Sequence, residues 1–206
     1  MPEVQTKFVT PEGRFSYPYI FEPTTGPKND QKPKYQCSLV LPKDAPGVAE
    51  FMAKIQATVK ALIAKQWPDG PPRGLRAGIK DGDKWVYADS SDLKNVDNPA
   101  YINAWIVNNA SSKNKPQIVD AACQPIMDQA QLKAGYWGRL SVTIFVYNRP
   151  DNKGWSCGLN NVMLTREDEP FGNQSRANDD FAAYLSVNGV TNAAPASAEA
   201  IDEMFL

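Results

Sequence analysis

The sequence predicts a mainly β fold: a small β-barrel carrying one amphipathic helix, long loops and a disordered acidic C-terminal tail. Three observations predict it. Short runs of strand-like residues recur along the chain, bounded by Pro, Gly, Asn or Asp. Only residues 47–66 repeat apolar side chains every three or four positions, as a helix does. Residues 186–206 are rich in Asn, Ala, Ser and Val and offer little to bury.

The elements follow in order. Residues 14–23 place aromatics at 15, 17, 19 and 21, a strand pattern in which Pro18 predicts an edge or a bulge. A polar loop over 24–33 leads to a second strand, Tyr35–Leu41, closed by Pro42. In the helix, Val48, Phe51, Met52, Ile55, Val59, Leu62 and Ile63 form the apolar stripe, with Lys54, Lys60 and Lys65 on the wet side. Trp67-Pro68-Asp69-Gly70-Pro71-Pro72 ends it. A loop-rich stretch over 68–99 precedes a strand at Tyr101–Val107 and a flexible basic loop over 108–117. Residues 139–147 are the cleanest strand, with Leu140, Val142, Ile144 and Val146 on one face. A turn at Asp151-Asn152-Lys153-Gly154 returns the chain into a strand at Trp155–Leu164. Several strands with one helix point to an OB-fold domain over 1–185, followed by a flexible tail over 186–206.

Composition narrows the chemistry. The chain of 206 residues has no histidine, which removes Ser-His and Cys-His catalysis and histidine zinc sites. Cys37, Cys123 and Cys157 are far apart and odd in number, a pattern read as buried thiols in a reducing compartment. No apolar run approaches the roughly 18 residues that span a bilayer, so no membrane partner is expected. The N-terminal residues lack the basic and apolar regions of a signal peptide, and a cytoplasmic location is expected. Charge is unevenly placed. Residues 166–206 hold two basic and eight acidic side chains, leaving twenty basic against fifteen acidic in the body. A basic body with an acidic tail ending Asp202-Glu203-Met204-Phe205-Leu206 suits one part that binds a polyanion and another that binds proteins.

The strand 139–147 carries Arg139, Ser141, Thr143, Phe145 and Tyr147 opposite its apolar row. Arginine with two aromatics on an outward face is a stacking platform for unpaired bases. The other reading is a second core layer under a loop. Tyr101, Asn103 and Trp105 share a face of their own strand and invite the same pair of readings, with the core favoured for Trp105. Arg73, Arg76, Lys80, Lys84, Lys113, Lys115, Arg149 and Lys153 fall in loops that could follow phosphates. Residues 81–92 place carboxylates at positions 1, 3, 9 and 12 of a calcium-loop count, but Val86 stands where the turn needs glycine. A surface Asp-Gly-Asp turn is the better reading.

Five motifs in order carry a resemblance: Arg14-Phe-Ser-Tyr-Pro-Tyr-Ile-Phe-Glu-Pro23, Lys34-Tyr-Gln-Cys-Ser-Leu-Val-Leu-Pro-Lys-Asp44, Lys80-Asp-Gly-Asp83, Asn98-Pro-Ala-Tyr101 and Gly154-Trp-Ser-Cys-Gly-Leu-Asn-Asn161. Over most of residues 8–185 the chain resembles a phage family, once a domain of unknown function, associated with single-stranded DNA binding. The resemblance implies an OB-type barrel similar to the single-stranded DNA-binding proteins of T7-like phages. It implies a non-enzymatic coat for unpaired DNA in replication or recombination, acting in the cytoplasm of the infected bacterial host without a cofactor. The tail is similar to those that dock on a polymerase, helicase or nuclease, except that Leu206 follows Phe205. Self-association is left open. The rival reading is a carboxylate-metal phage nuclease using Asp81, Asp83 and Asp89.

Overall fold

A computed structural model describes residues 4–25, 32–88 and 90–171. Its strands are β1 (Lys7–Val9), β2 (Gly13–Thr24), β3 (Lys34–Pro42), β4 (Ile79–Asp81), β5 (Ala104–Ser112), β6 (Gln117–Val119), β7 (Trp137–Asn148) and β8 (Lys153–Arg166). Helix α1 spans Val48–Gln66, and a single turn, α2, spans Lys94–Asp97. Two 3₁₀ turns, Pro99–Tyr101 and Gln129–Gln131, complete the elements.

Five strands close a ring. β2 pairs with β3, β3 with β5, β5 with β8, β8 with β7, and β7 with β2. The first, second, third, fifth and fourth ring strands thus follow one another around it, and only β5 and β8 run parallel. This is the Greek-key closure of an OB-type barrel, with no free edge left in the ring. β1, β4 and β6 extend it from β7, β5 and β8.

Inside the ring, Phe15, Leu39, Leu41, Val107, Leu140, Val142 and Ile144 form the core. Leu140, Val142 and Ile144 alternate with the more open Ser141 and Thr143, as the period-two pattern of β7 requires. Helix α1 caps one end through Val48, Phe51, Met52, Ile55 and Val59. Fully burying each such side chain contributes about 1.5–3 kcal/mol. The helix stops where the Trp67 N–H donates to the Ile63 carbonyl and Pro68 follows.

Several expectations need correcting. Tyr101 is not in a strand; it closes the 3₁₀ turn that precedes β5. Residues 108–112, expected in a loop, continue β5, and the 68–99 stretch contains β4 and α2. The hairpin tip lies at 149–152, two residues early, with the Arg149 N–H donating to the Asn152 carbonyl. Cys37 and Cys157 are buried, but Cys123 is exposed. The expected irregularity at Pro18 is present. The β2–β3 register shifts between Ser16 and Tyr19, and Tyr17 takes a φ of 49°. That bulge keeps Phe15 and Ile20 inside while Tyr17 and Tyr19 face out.

A second apolar cluster sits on the outside of the ring. Val40, Tyr101, Ala104 and Ile106 pack there with Trp85 and Phe171. It fastens a flap, residues 82–88 and 90–101, over the outer surface of β3 and β5. At its base, a side chain in place of Gly82 would strike the Tyr101 carbonyl.

Candidate nucleic-acid interface

Beyond the flap, no other element among the described residues covers the outer surface of the ring, whose floor is partly exposed. Cα partners run across it in one row: Tyr19 with Gln36, Gln36 with Ser111, Ser111 with Gly158, and Gly158 with Thr143. Directly paired residues point to the same side of a sheet, so these five share the outer face. At about 4.8 Å per strand the row spans about 19 Å. Its floor is small and polar because Ser111, Gly158 and Thr143 carry little bulk.

Aromatic rings stand around this floor. Tyr17 is 54% exposed, Tyr19 46% and Phe145 43%. Phe145 lies along Gly158, 3.7 Å from where a side chain there would begin. Tyr147 follows, with ring centroids 6.4 Å apart and the planes tilted by 52°. The Tyr147 hydroxyl donates to the Asn152 side chain at 3.4 Å, which ties the ring to the hairpin tip.

Cations gather at both ends of the band. Lys34, Lys113 and Lys115 lie at the end where Tyr35 pairs with Ser112, and the Lys115 ammonium sits 5.9 Å from the Phe21 ring centre. At the other end, Arg76 bridges to Gly154, and Lys80 pairs opposite Ile106 on the outer face. Arg149 and Lys153 are exposed on the adjoining hairpin. Lys94 reaches in from the flap, its ammonium 4.2 Å from the Trp85 ring centre and 4.9 Å from that of Tyr87. Burial, and then the charges of Arg76 and Lys94, hold the Lys80 ammonium below its ordinary range. No carboxylate among the described residues forms an ion pair with Arg76, Lys80 or Lys94.

The structure thus brings Phe145, Tyr147, Arg149, Lys153, Arg76 and Lys80 to one side of the ring. Other candidates stand apart. Arg139 lies six residues from Phe145 along β7, about 20 Å away, and donates to the Thr10 carbonyl at 3.1 Å. Tyr101 and Trp105 do not share a face. Tyr101 is 5% exposed and stacks on Trp85 with centroids 5.7 Å apart, whereas Trp105 packs against the main core. Trp105, Trp67 and Trp155 line an apolar groove of about 620 Å³ between α1 and the barrel. With Lys60 its only charged lining residue, that groove does not suit a polyanion. Arg73 and Lys84 are exposed in loops beyond the band. Asp202, Glu203, Met204, Phe205 and Leu206 lie outside the described residues, as does Asp89.

Sequence reasoning missed Tyr17, Tyr19, Lys34 and Lys94 as candidates. The aromatic run around Pro18 was the available signal for the tyrosines. Nothing local marks Lys94, whose place depends on the flap folding back.

Asp81 and Asp83, two of the three carboxylates of the rival metal reading, are otherwise engaged. The Lys43 ammonium donates to Asp81 at 2.6 Å and to Asp83 at 2.7 Å, and the Asn103 N–H donates to Asp83. Hydrogen bonds from Lys43 and Asn103 hold the Asp83 carboxyl below its ordinary range. Among the described residues no three His, Cys, Asp or Glu side chains are grouped to hold a metal ion.

A closed Greek-key ring whose outer face interleaves open aromatics with cations that form no ion pair among the described residues defines an oligonucleotide-binding barrel. The chain belongs to the Enterobacter phage Enc34 ssDNA-binding protein family, whose sequence profile matches residues 6–191. Its fold is similar to that of the single-stranded DNA-binding protein from bacteriophage Enc34 in complex with ssDNA. The TM-score is 0.67 at 21% identity, covering 81% of this chain and 90% of that one. It is also similar to gp2.5, a single-stranded DNA-binding protein encoded by bacteriophage T7. There the TM-score is 0.59 at 13% identity, covering 84% of this chain and 99% of that one. No curated protein sequence matches this chain.

Proposed function

We propose that this protein coats single-stranded DNA without strong sequence preference, during phage replication or recombination in the cytoplasm of the infected host. The observation that carries the reading is the outer band, where Tyr17, Tyr19 and Phe145 stand open between two groups of cations. Every unpaired base offers a π-face, so stacking tolerates sequence, and the cations follow the phosphates. The Enc34 relative, solved in complex with ssDNA, shares this fold, which supports the assignment. Titration with oligo-dT against a duplex of equal length, over a salt series, tests it. Single strands should bind more tightly, and affinity should fall as salt rises. Salt-independent affinity or a preference for duplex overturns the reading.

Recruitment of a polymerase, helicase or nuclease through Asp202, Glu203, Met204, Phe205 and Leu206 is the second part of the proposal. It rests on the charge split between body and tail. The acidic tail also competes weakly with DNA for the basic band, since tethering keeps it at high effective concentration. Truncation at about Ser186 should raise DNA affinity modestly at low salt and abolish pull-down of replication proteins. Both quantities unchanged would refute the tail's role.

A further inference from the structure

Lys80, Arg76 and Lys94 are cations of the band whose backbone or side chain is held in place. Lys80 projects from β4, opposite Ile106, and is half-buried. Arg76 has its backbone fixed on both sides, its N–H donating to the Lys153 carbonyl and its carbonyl accepting from the Trp155 N–H. The Lys94 ammonium lies close to both the Trp85 and Tyr87 rings, and its N–H donates to the Trp85 carbonyl at 2.8 Å. The nearby Asp97 carboxylate accepts the Tyr87 hydroxyl at 2.6 Å.

Like charges gathered on one surface repel one another, and more strongly where burial lowers the effective dielectric. A fold gathers three such charges with no ion-paired carboxylate among the described residues only at a cost to its stability. Lys43 shows the alternative within the same region, since Asp81 and Asp83 both grip it. The cluster around Lys80 is therefore suited to an anion that arrives from outside. The Tyr87 ring borders it beside the Lys94 ammonium, and the Tyr17 ring is open.

We propose that Lys80, Arg76 and Lys94 form a seat for one backbone phosphate of the bound strand, with Tyr17 and Tyr87 taking the adjoining base. This rests on the single-stranded DNA reading above and adds a fixed anchor to it. A phosphate fixed beside a base platform sets the register of the strand, whereas an exposed loop cation such as Lys113 only attracts it.

The test compares the full-length wild type with Lys80→Gln and, as a control at the distant helix groove, Lys60→Gln. Affinity for labelled oligo-dT is measured by anisotropy over a salt series, and thermal melting is recorded without DNA. Each phosphate contact to a single strand contributes about 0.7 to the slope of log K against log salt. Lys80→Gln should flatten that slope by at least this amount and weaken binding, while melting no lower than wild type because repulsion is relieved. Lys60→Gln should change neither. Arg76→Gln repeats the measurement should Lys80→Gln fail to fold. An unchanged slope in a variant that folds, with wild type binding normally, overturns the seat alone. Failure of wild type to bind oligo-dT at low salt overturns the function reading with it. Inorganic phosphate at matched ionic strength provides the last arm. If it stabilises wild type but not Lys80→Gln while the DNA slope is unchanged, the cluster takes a free anion and the strand assignment is wrong.

Discussion

Replacing Phe145 with alanine separates a base platform from a core ring. Phe145 is 43% exposed, lies beside Tyr147 and rests along Gly158. A fully buried Phe→Ala change costs about 3–5 kcal/mol. With nearly half the ring already in water, the cost here should be about 2 kcal/mol. Stacking of one base on an aromatic ring contributes about 1–3 kcal/mol, so Phe145→Ala should weaken oligo-dT binding about 5- to 140-fold. The double change with Tyr147→Ala should lose more, by less than the product of the two if both rings serve one base. Anisotropy with labelled oligo-dT gives the affinity and a thermal melt gives the stability. Binding within twofold of wild type refutes the platform. A melting loss as large as for a fully buried phenylalanine shows that the ring belongs to the core instead.

Two glycines of the β7–β8 hairpin should respond in opposite ways. Gly158→Ala meets only ordinary contacts, the nearest at 3.5 Å, and should melt within about 0.5 kcal/mol of wild type. Gly138→Ala would drive a methyl into the Phe15 ring and the Met163 carbonyl, and should lose about 1–3 kcal/mol by urea unfolding. Only Cys123 should react with a thiol reagent in the native protein, and all three cysteines in denaturant. Burial raises the Cys37 thiol strongly and pushes Cys157 up to about 12, which withholds the reactive thiolate. The Lys43 clamp should stabilise the fold between two pH limits. The folded Asp83 titrates below its ordinary value of 3.8, so its share is present above that value and is lost as pH falls through the lowered one. Burial opposes but the bonds to Asp81 and Asp83 win, so Lys43 titrates above its ordinary 10.5, and its share is lost as pH rises past that. Lys43→Met should flatten urea-unfolding stability against pH at both ends.

The elements with strong periods were legible in the sequence. The stripe of α1 and the alternation of Leu140, Val142 and Ile144 needed only helix and strand geometry. The face at Tyr17 and Tyr19 was harder, because the bulge at Pro18 breaks the parity that assigns side chains to sides. Tyr101 and Trp105 looked alike by spacing, yet a 3₁₀ turn ends between them and sends one under the flap and the other to the barrel end. Arg139 kept its outward parity but met the Thr10 carbonyl, a partner 129 residues away that no local pattern reveals. Lys94 became part of the site only through the folding of the flap onto β3 and β5.

The central claim is that DNA lies on the outer band of the ring. Photo-crosslinking of the protein to oligo-dT bearing a photoreactive thymine analogue, with adducts mapped by mass spectrometry, tests it most directly. The account predicts adducts on Tyr17, Tyr19, Phe145 and Tyr147, with Tyr87 among them when the phosphate seat is filled. Adducts confined to Trp67, Trp105 and Trp155, in the groove beside α1, would contradict it.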